Sequence, residues 1–61
     1  MAKFICLYEE SPHRYYLNLE QIEQINPEEC GVYMQSGESY FLGEDEFERI
    51  MKYVNQNLEK I

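Results

Sequence analysis

The chain has 61 residues, 44% of them hydrophobic, and carries twelve Asp and Glu against five Lys and Arg, a formal charge of −7. A chain of this length makes one domain, and it buries only about 60% of the surface that its unfolded form exposes. The hydrophobic content excludes a disordered chain, and the acidic balance argues against direct nucleic-acid binding. No apolar run is long enough to span a membrane. We expect a single cytoplasmic domain over residues 1–61.

The first third of the chain predicts two strands. KFICLY (residues 3–8) has two apolar faces. One face carries Phe4, Cys6 and Tyr8, and the other carries Ile5 and Leu7. Such a strand is either covered on both sides or pressed against a partner chain. Because so short a chain supplies little cover, we expect a partner. YYLNL (residues 15–19) is the second strand, after a connection in which Pro12 disfavours helix.

The middle of the chain predicts a turn region followed by a hairpin. Asn18 and Gln21 have capping-box spacing, so residues 18–25 form either a helical turn or a bent strand. NPEECG (residues 26–31) is a turn cluster. VYMQ and SYFL then form two strands joined through Gly37, which supplies the positive φ that a tight hairpin turn requires.

The last third predicts an amphipathic helix. Asp45 fits the N-cap, with Glu48 at the reciprocal position. The apolar side chains recur at helical spacing: Phe47, Ile50, Met51, Val54, Leu58 and Ile61. Asp45 and Arg49 are four residues apart on the wet side of the helix, as an ion pair requires.

Together these elements predict an α+β fold: a four-stranded antiparallel meander with one C-terminal helix packed on one face. The expected core joins the helix residues Phe47, Ile50, Met51 and Val54 to Phe4, Leu17, Leu19, Val32 and Met34. The other face of the sheet carries Tyr and Phe. Exposed aromatic side chains are typical of interface cores, and small oligomers are mostly two-fold symmetric. We therefore expect a homodimer.

No motif for catalysis, metal binding or cofactor binding is present. Cys6, His13 and Cys30 are too far apart in sequence for a zinc site of the usual spacing. We expect both cysteines to be reduced, since a Cys6–Cys30 bridge requires Cα atoms within about 7 Å. His13 lies in a loop, whereas a general base must be held within hydrogen-bond reach of its proton. We expect a protein that is not an enzyme.

The segments YYLNLEQIEQI, VYMQSGESYFL and FERIMKYV together resemble small bacterial flagellar proteins of the FlbD type. They are also similar to the sheet of LytTR-type regulators. The likeness is one of hydrophobic pattern over most of the chain, and no motif residue in it carries chemistry. The first resemblance implies regulation through protein contacts. The second implies DNA binding, which the charge of −7 opposes.

SPHRYY (residues 11–16) departs from the acidic character of the chain, because it holds the one His, one of two Arg and two of six Tyr. One interpretation is a turn followed by a strand. The other is the edge of an aromatic, anion-binding pocket at a dimer interface, where an Arg binds phosphate or carboxylate bidentately. The candidate ligand-binding residues are Tyr8, His13, Arg14, Tyr16, Tyr33 and Phe41. Tyr15 aligns with Leu17 and is expected in the core.

Two functions follow from these patterns. The first is capture of a small anionic, nucleotide-like ligand by a homo-oligomer, the mode of action of viral sponge proteins that sequester nucleotide signals. The alternative is an acidic docking module, an inhibitor or small regulator, that binds the basic surface of a nucleic-acid-handling protein. A continuous acidic surface away from the tyrosines would favour docking. An open cleft lined by Tyr and Arg would favour capture.

Overall fold

The computed structural model describes residues 3–59 as five strands and one helix. The elements are β1 (Phe4–Leu7), β2 (Tyr15–Asn18), β3 (Ile22–Asn26), β4 (Gly31–Met34), β5 (Ser39–Phe41) and α1 (Glu44–Gln56). Strands β1 and β2 form a two-stranded antiparallel sheet, and β3, β4 and β5 form a three-stranded antiparallel sheet in that order. The predicted α+β class is confirmed.

The predicted single four-stranded meander is wrong, because the chain breaks its sheet after β2. The Asn18 side chain accepts a hydrogen bond from the backbone N–H of Glu20 at 3.1 Å. This contact starts a single 3-10 turn over Leu19–Gln21. Side chains of this kind divert the backbone from a strand by offering it a local hydrogen bond. The two alternatives for residues 18–25 therefore occur one after the other, first a turn and then strand β3, which pairs with β4.

The core lies between the inner faces of the two sheets and the helix. Its buried members are Leu7, Leu17, Val32, Met34, Leu42, Phe47 and Ile50. Met51, Val54 and Leu19 are partly buried against this cluster, as is Tyr15.

The predicted placement of Phe4 in the core is wrong, since its side chain is 63% exposed. Successive side chains of a strand point to opposite faces, so Phe4 and Leu7 cannot both point inward. Leu7 is fully buried. The buried Leu7 therefore fixes which side chains of β1 point towards the core, and Phe4 faces solvent.

Helix α1 begins two residues earlier than predicted. Its N-cap is Gly43, which has no side chain to cap with, and the predicted Asp45 cap is wrong. The helix ends where Asn57 closes it: its backbone N–H donates to the Val54 carbonyl and its Nδ2 donates to the Tyr53 carbonyl. Leu58 follows the helix and is exposed, and Ile61 lies outside the described residues. Within residues 3–59 no helix has the length and apolarity to cross a membrane.

Arg49 ties the β1–β2 hairpin to the helix, and it pairs with Glu46 and Glu9 instead of the predicted helix partner Asp45. Its Nη1 donates to the Cys6 carbonyl at 2.8 Å and to Glu46 Oε2 at 3.1 Å. The same Glu46 oxygen accepts the backbone N–H of Tyr8 at 2.8 Å. We call Tyr8, Glu46 and Arg49 the clasp. It reaches from the end of β1 to the first two turns of α1.

We predict that Ile50→Ala lowers the free energy of unfolding by about 2–5 kcal/mol, since the Ile50 side chain is fully buried and truncation leaves a cavity. Chemical denaturation measures this change. Leu58→Ala removes a similar apolar volume from an exposed position and is the matched control. Equal losses in the two variants would contradict the assignment of the helix face.

Candidate functional site

Tyr8 occupies a corner between the hairpin and the helix. Its φ of 56° lies in the left-handed region, where a bulky residue is strained. Two hydrogen bonds hold it: the backbone N–H donates to Glu46, and the hydroxyl accepts the Gly43 N–H at 2.9 Å. The strain at Tyr8 is therefore offset by contacts with the start of the helix.

The Tyr8 ring belongs to an aromatic row that continues towards the core. Its centroid lies 6.2 Å from that of Tyr15, and the Tyr15 and Tyr40 rings stack at 5.6 Å. Burial, with the neighbouring Tyr8, Tyr40 and Glu46, raises the pKa of Tyr15 above its ordinary value. Tyr15 packs against the core as the sequence predicts.

The surface around the clasp is acidic. Exposed carboxylates surround it on both elements: Glu9, Glu10, Glu44 and Asp45. With Glu46 they make five carboxylates, and the basic side chain among them, Arg49, donates to Glu46 and to Glu9 at 3.3 Å. Two open clefts of about 430 Å³ each lie here and share Glu46. We call this surface, with its net charge of −4, the acidic end.

A second aromatic group lies on the outward face of the three-stranded sheet. Tyr33 and Phe41 pack edge to face, with ring centroids 6.2 Å apart and planes at 89°. Gly31 lies beneath them, and a Cβ there would come within 3.2 Å of the Phe41 ring. The Tyr33 hydroxyl donates to Glu29 Oε2 at 3.0 Å, and this hydrogen bond raises the pKa of Tyr33.

The SPHRYY segment forms a turn and then enters β2. The backbone N–H of Ser11 donates to the Tyr8 carbonyl at 2.9 Å, and that of Arg14 donates to the Ser11 carbonyl at 3.2 Å. His13 and Arg14 are exposed, and within residues 3–59 neither side chain makes a hydrogen bond or an ion pair. Tyr16 points outward and is 66% exposed.

The structure does not gather the six predicted ligand-binding residues into one pocket of a single chain. Tyr33 and Phe41 are in contact, whereas the Tyr8 ring packs on Tyr15. The register of β4 and β5 explains why these two aromatic groups are separate. Tyr33 lies opposite Ser39, whereas Tyr40, which stacks on Tyr15 in the group of Tyr8, lies opposite Val32. These two pairs point to opposite faces of the sheet. His13 and Arg14 lie in the turn before β2 and Tyr16 lies in β2, and their role in binding stays a prediction.

Sequence reasoning misses Glu46 and assigns Arg49 the wrong partner, Asp45. The three-residue spacing of Glu46 and Arg49 is visible in the sequence and permits an ion pair on a helix. Their contacts with Cys6 and Tyr8 join residues about 40 positions apart, which no local pattern reveals.

The remaining features of the described chain are an apolar groove and two free thiols. The groove, of about 470 Å³, lies between β3 and the end of α1. Its apolar lining is Leu19, Ile22, Ile25, Tyr53, Val54 and Leu58. Cys6 and Cys30 are both free. In the part of the chain that the structure describes, no cluster of three or more His, Cys, Asp or Glu side chains could hold a metal ion.

Comparison with known proteins gives no match: no protein family, no curated protein and no solved structure is significantly similar to this chain.

We predict that Glu29→Ala returns the pKa of Tyr33 towards the ordinary tyrosine value of about 10, because the hydrogen bond from its hydroxyl to Glu29 is removed. Ring carbon chemical shifts followed against pH measure the titration, with Tyr33→Phe to assign the signal. Glu28→Ala removes the adjacent carboxylate and is the control. A Tyr33 titration that is the same in both alanine variants would show that the contact with Glu29 does not form.

Proposed function

We propose that the protein is a non-catalytic docking module whose acidic end binds a basic surface of a partner protein. The observation that supports this most is the arrangement of charge around the clasp. Arg49, the basic side chain there, is engaged by Glu46 and Glu9. Glu10, Glu44 and Asp45 are exposed around it.

The acidic end suits recognition of lysine and arginine side chains. Charge complementarity steers encounter and suppresses wrong partners. At physiological salt the Debye length is about 8 Å, so carboxylates grouped at one end act together while distant ones are screened. Tyr8 borders one of the two clefts, where its ring could accept a cation at a gain of about 0.5–1 kcal/mol.

The carboxylates of the acidic end are held in fixed positions, and this supports a docking role. The backbone of β1 and the helix start are fixed to each other by the clasp and by the Tyr8 hydroxyl. Glu44 and Asp45 stand in the first turn of the same helix. A preorganised surface loses less conformational entropy on binding than a mobile one.

Catalysis has no comparable support. A nucleophile needs a base within hydrogen-bond reach. Within residues 3–59 the His13 side chain makes no hydrogen bond, and its backbone is held in an exposed turn. We therefore propose binding rather than reaction as the activity of the chain.

Ligand capture is the second candidate, and one observation favours it. The exposed side chains of His13 and Arg14 make no hydrogen bond or ion pair within the described residues, and the exposed ring of Tyr16 follows two residues after Arg14. Such a group could hold an anion and stack a flat ring, provided that a second copy completed the site.

We predict that the double variant Glu44→Lys/Asp45→Lys weakens binding to a lysine- and arginine-rich peptide by about tenfold or more, a loss of about 1.4 kcal/mol. Fluorescence anisotropy at several salt concentrations measures it. Glu20→Lys/Glu23→Lys changes the net charge equally at two other exposed acids and is the matched control. The same variants then decide which proteins captured from the host are specific.

Equal weakening in the two double variants would contradict docking through the acidic end, because binding would then follow net charge alone. Native mass spectrometry of the protein purified from its host distinguishes ligand capture from docking. A small molecule that is retained by the acidic-end variant but lost on Arg14→Ala and Tyr16→Ala would establish capture instead of docking.

A further inference from the structure

We propose that two copies of the chain associate through the outward face of the three-stranded sheet. This inference goes beyond the docking function and concerns a different surface. Strand pairing places six residues on that face: Gln24, Asn26, Gly31, Tyr33, Ser39 and Phe41. We call it the Phe41 face. The opposite row, Ile25, Val32 and Tyr40, packs in or against the core.

None of the six residues of the Phe41 face is charged, although 28% of the chain is Asp, Glu, Lys or Arg. Depletion of charge and enrichment of Tyr and Phe mark the cores of protein interfaces. Glu29 lies beside this face, and its carboxylate already accepts the Tyr33 hydroxyl. The Phe41 face therefore has the chemistry of an interface, bordered by Glu29, which is engaged by a hydrogen bond, and by the exposed Glu23 in the β3 bulge.

The charge of the chain indicates what covers this face. Two copies each carry −7, so the repulsion between them is smallest where both surfaces lack carboxylates. A basic partner would gain nothing from an uncharged face and would bind the acids elsewhere. A second copy carries the same uncharged face, so two copies can meet there without bringing carboxylates together. We infer that a second copy covers the Phe41 face.

The polar groups of the Phe41 face suit a self-complementary contact. Gln24 and Asn26 carry amides that both donate and accept, and Ser39 carries a hydroxyl with the same property. Across a two-fold axis every contact between one residue and another occurs twice, in both directions, and groups that both donate and accept can hydrogen-bond in either direction. A face of carboxylates or of guanidinium groups could not do so.

The aromatic pair is fixed before association. Phe41 is 63% exposed, yet its ring is held edge to face against Tyr33 and over Gly31. An ordered anchor reduces the entropy lost on binding. An interface of standard size takes about 800 Å² from each partner, roughly a sixth of the 4879 Å² that the chain exposes. The Phe41 face would form the central part of such an interface.

Sedimentation over a range of concentrations tests the proposal. We expect the wild type to reach twice the 7.4 kDa mass of one chain and Phe41→Ser to sediment as a single chain. Phe4→Ser is the matched control, because Phe4 is also 63% exposed but belongs to the other sheet. Circular dichroism establishes that both variants are folded.

Ser39→Glu provides a test that does not depend on removing an aromatic ring. It places two like charges on the proposed interface, and we expect it to weaken association by about tenfold or more, as the repulsion between like charges requires. Ser36→Glu adds the same charge in the exposed hairpin turn and is expected to have little effect.

Three results would overturn the proposal. They are a wild type that stays a single chain at every concentration, equal weakening by Ser39→Glu and Ser36→Glu, and dissociation by Phe4→Ser but not by Phe41→Ser. The acidic-end variant Glu44→Lys/Asp45→Lys is expected to keep the wild-type mass. A failure of the docking proposal and a failure of the dimer proposal are therefore distinguishable.

Discussion

The hydrogen bonds of the Arg49 guanidinium tie the β1–β2 hairpin to the helix, and the arrangement of the two sheets depends on this contact together with the shared core. A two-stranded hairpin is marginally stable on its own, and β1 and β2 pair only with each other. Arg49 joins this hairpin to the helix through the Cys6 carbonyl, and Glu46 joins it through the Tyr8 N–H. Hydrogen bonds to charged groups contribute about 1.5–3 kcal/mol each. We expect the lower part of that range, because the Arg49 side chain is 38% exposed.

The same contacts explain two features that are unfavourable on their own, the positive φ of Tyr8 and a helix N-cap without a side chain. Tyr8 adopts a left-handed conformation because its backbone N–H and its hydroxyl both meet the start of the helix. Gly43 caps the helix without a side chain, and the Tyr8 hydroxyl takes its N–H instead. Since Arg49 is engaged by Glu46 and Glu9, no cation within residues 3–59 pairs with Glu10, Glu44 or Asp45. Arg49 therefore ties the hairpin to the helix, while the five carboxylates around it leave the acidic end with its net charge of −4.

Local sequence patterns could predict the helix, its buried Phe47 and Ile50, and most of the strands, because each of these rests on periodicity within a few residues. The division into two sheets was not predicted, since one side-chain contact from Asn18 to Glu20 decides it. Periodicity shows that the side chains of β1 alternate between two faces but does not show which face is buried, so the prediction for Phe4 is wrong. Of the candidate site, the Tyr33–Phe41 contact depends on strand register, and the clasp depends on contacts about 40 residues apart. Neither contact can be predicted from a local sequence motif.

Native-state hydrogen exchange in an Arg49→Met variant tests most directly whether the clasp holds the hairpin to the rest of the fold. Met keeps much of the apolar stem and removes the guanidinium donors. The account predicts faster exchange at the backbone amides of β1 and β2, such as those of Ile5 and Leu17, with little change in β4 at Val32. Lys52→Met removes a charge from an exposed position of the same helix and is expected to change neither sheet. Faster exchange spread equally over both sheets, or the same rates as in Lys52→Met, would contradict the account.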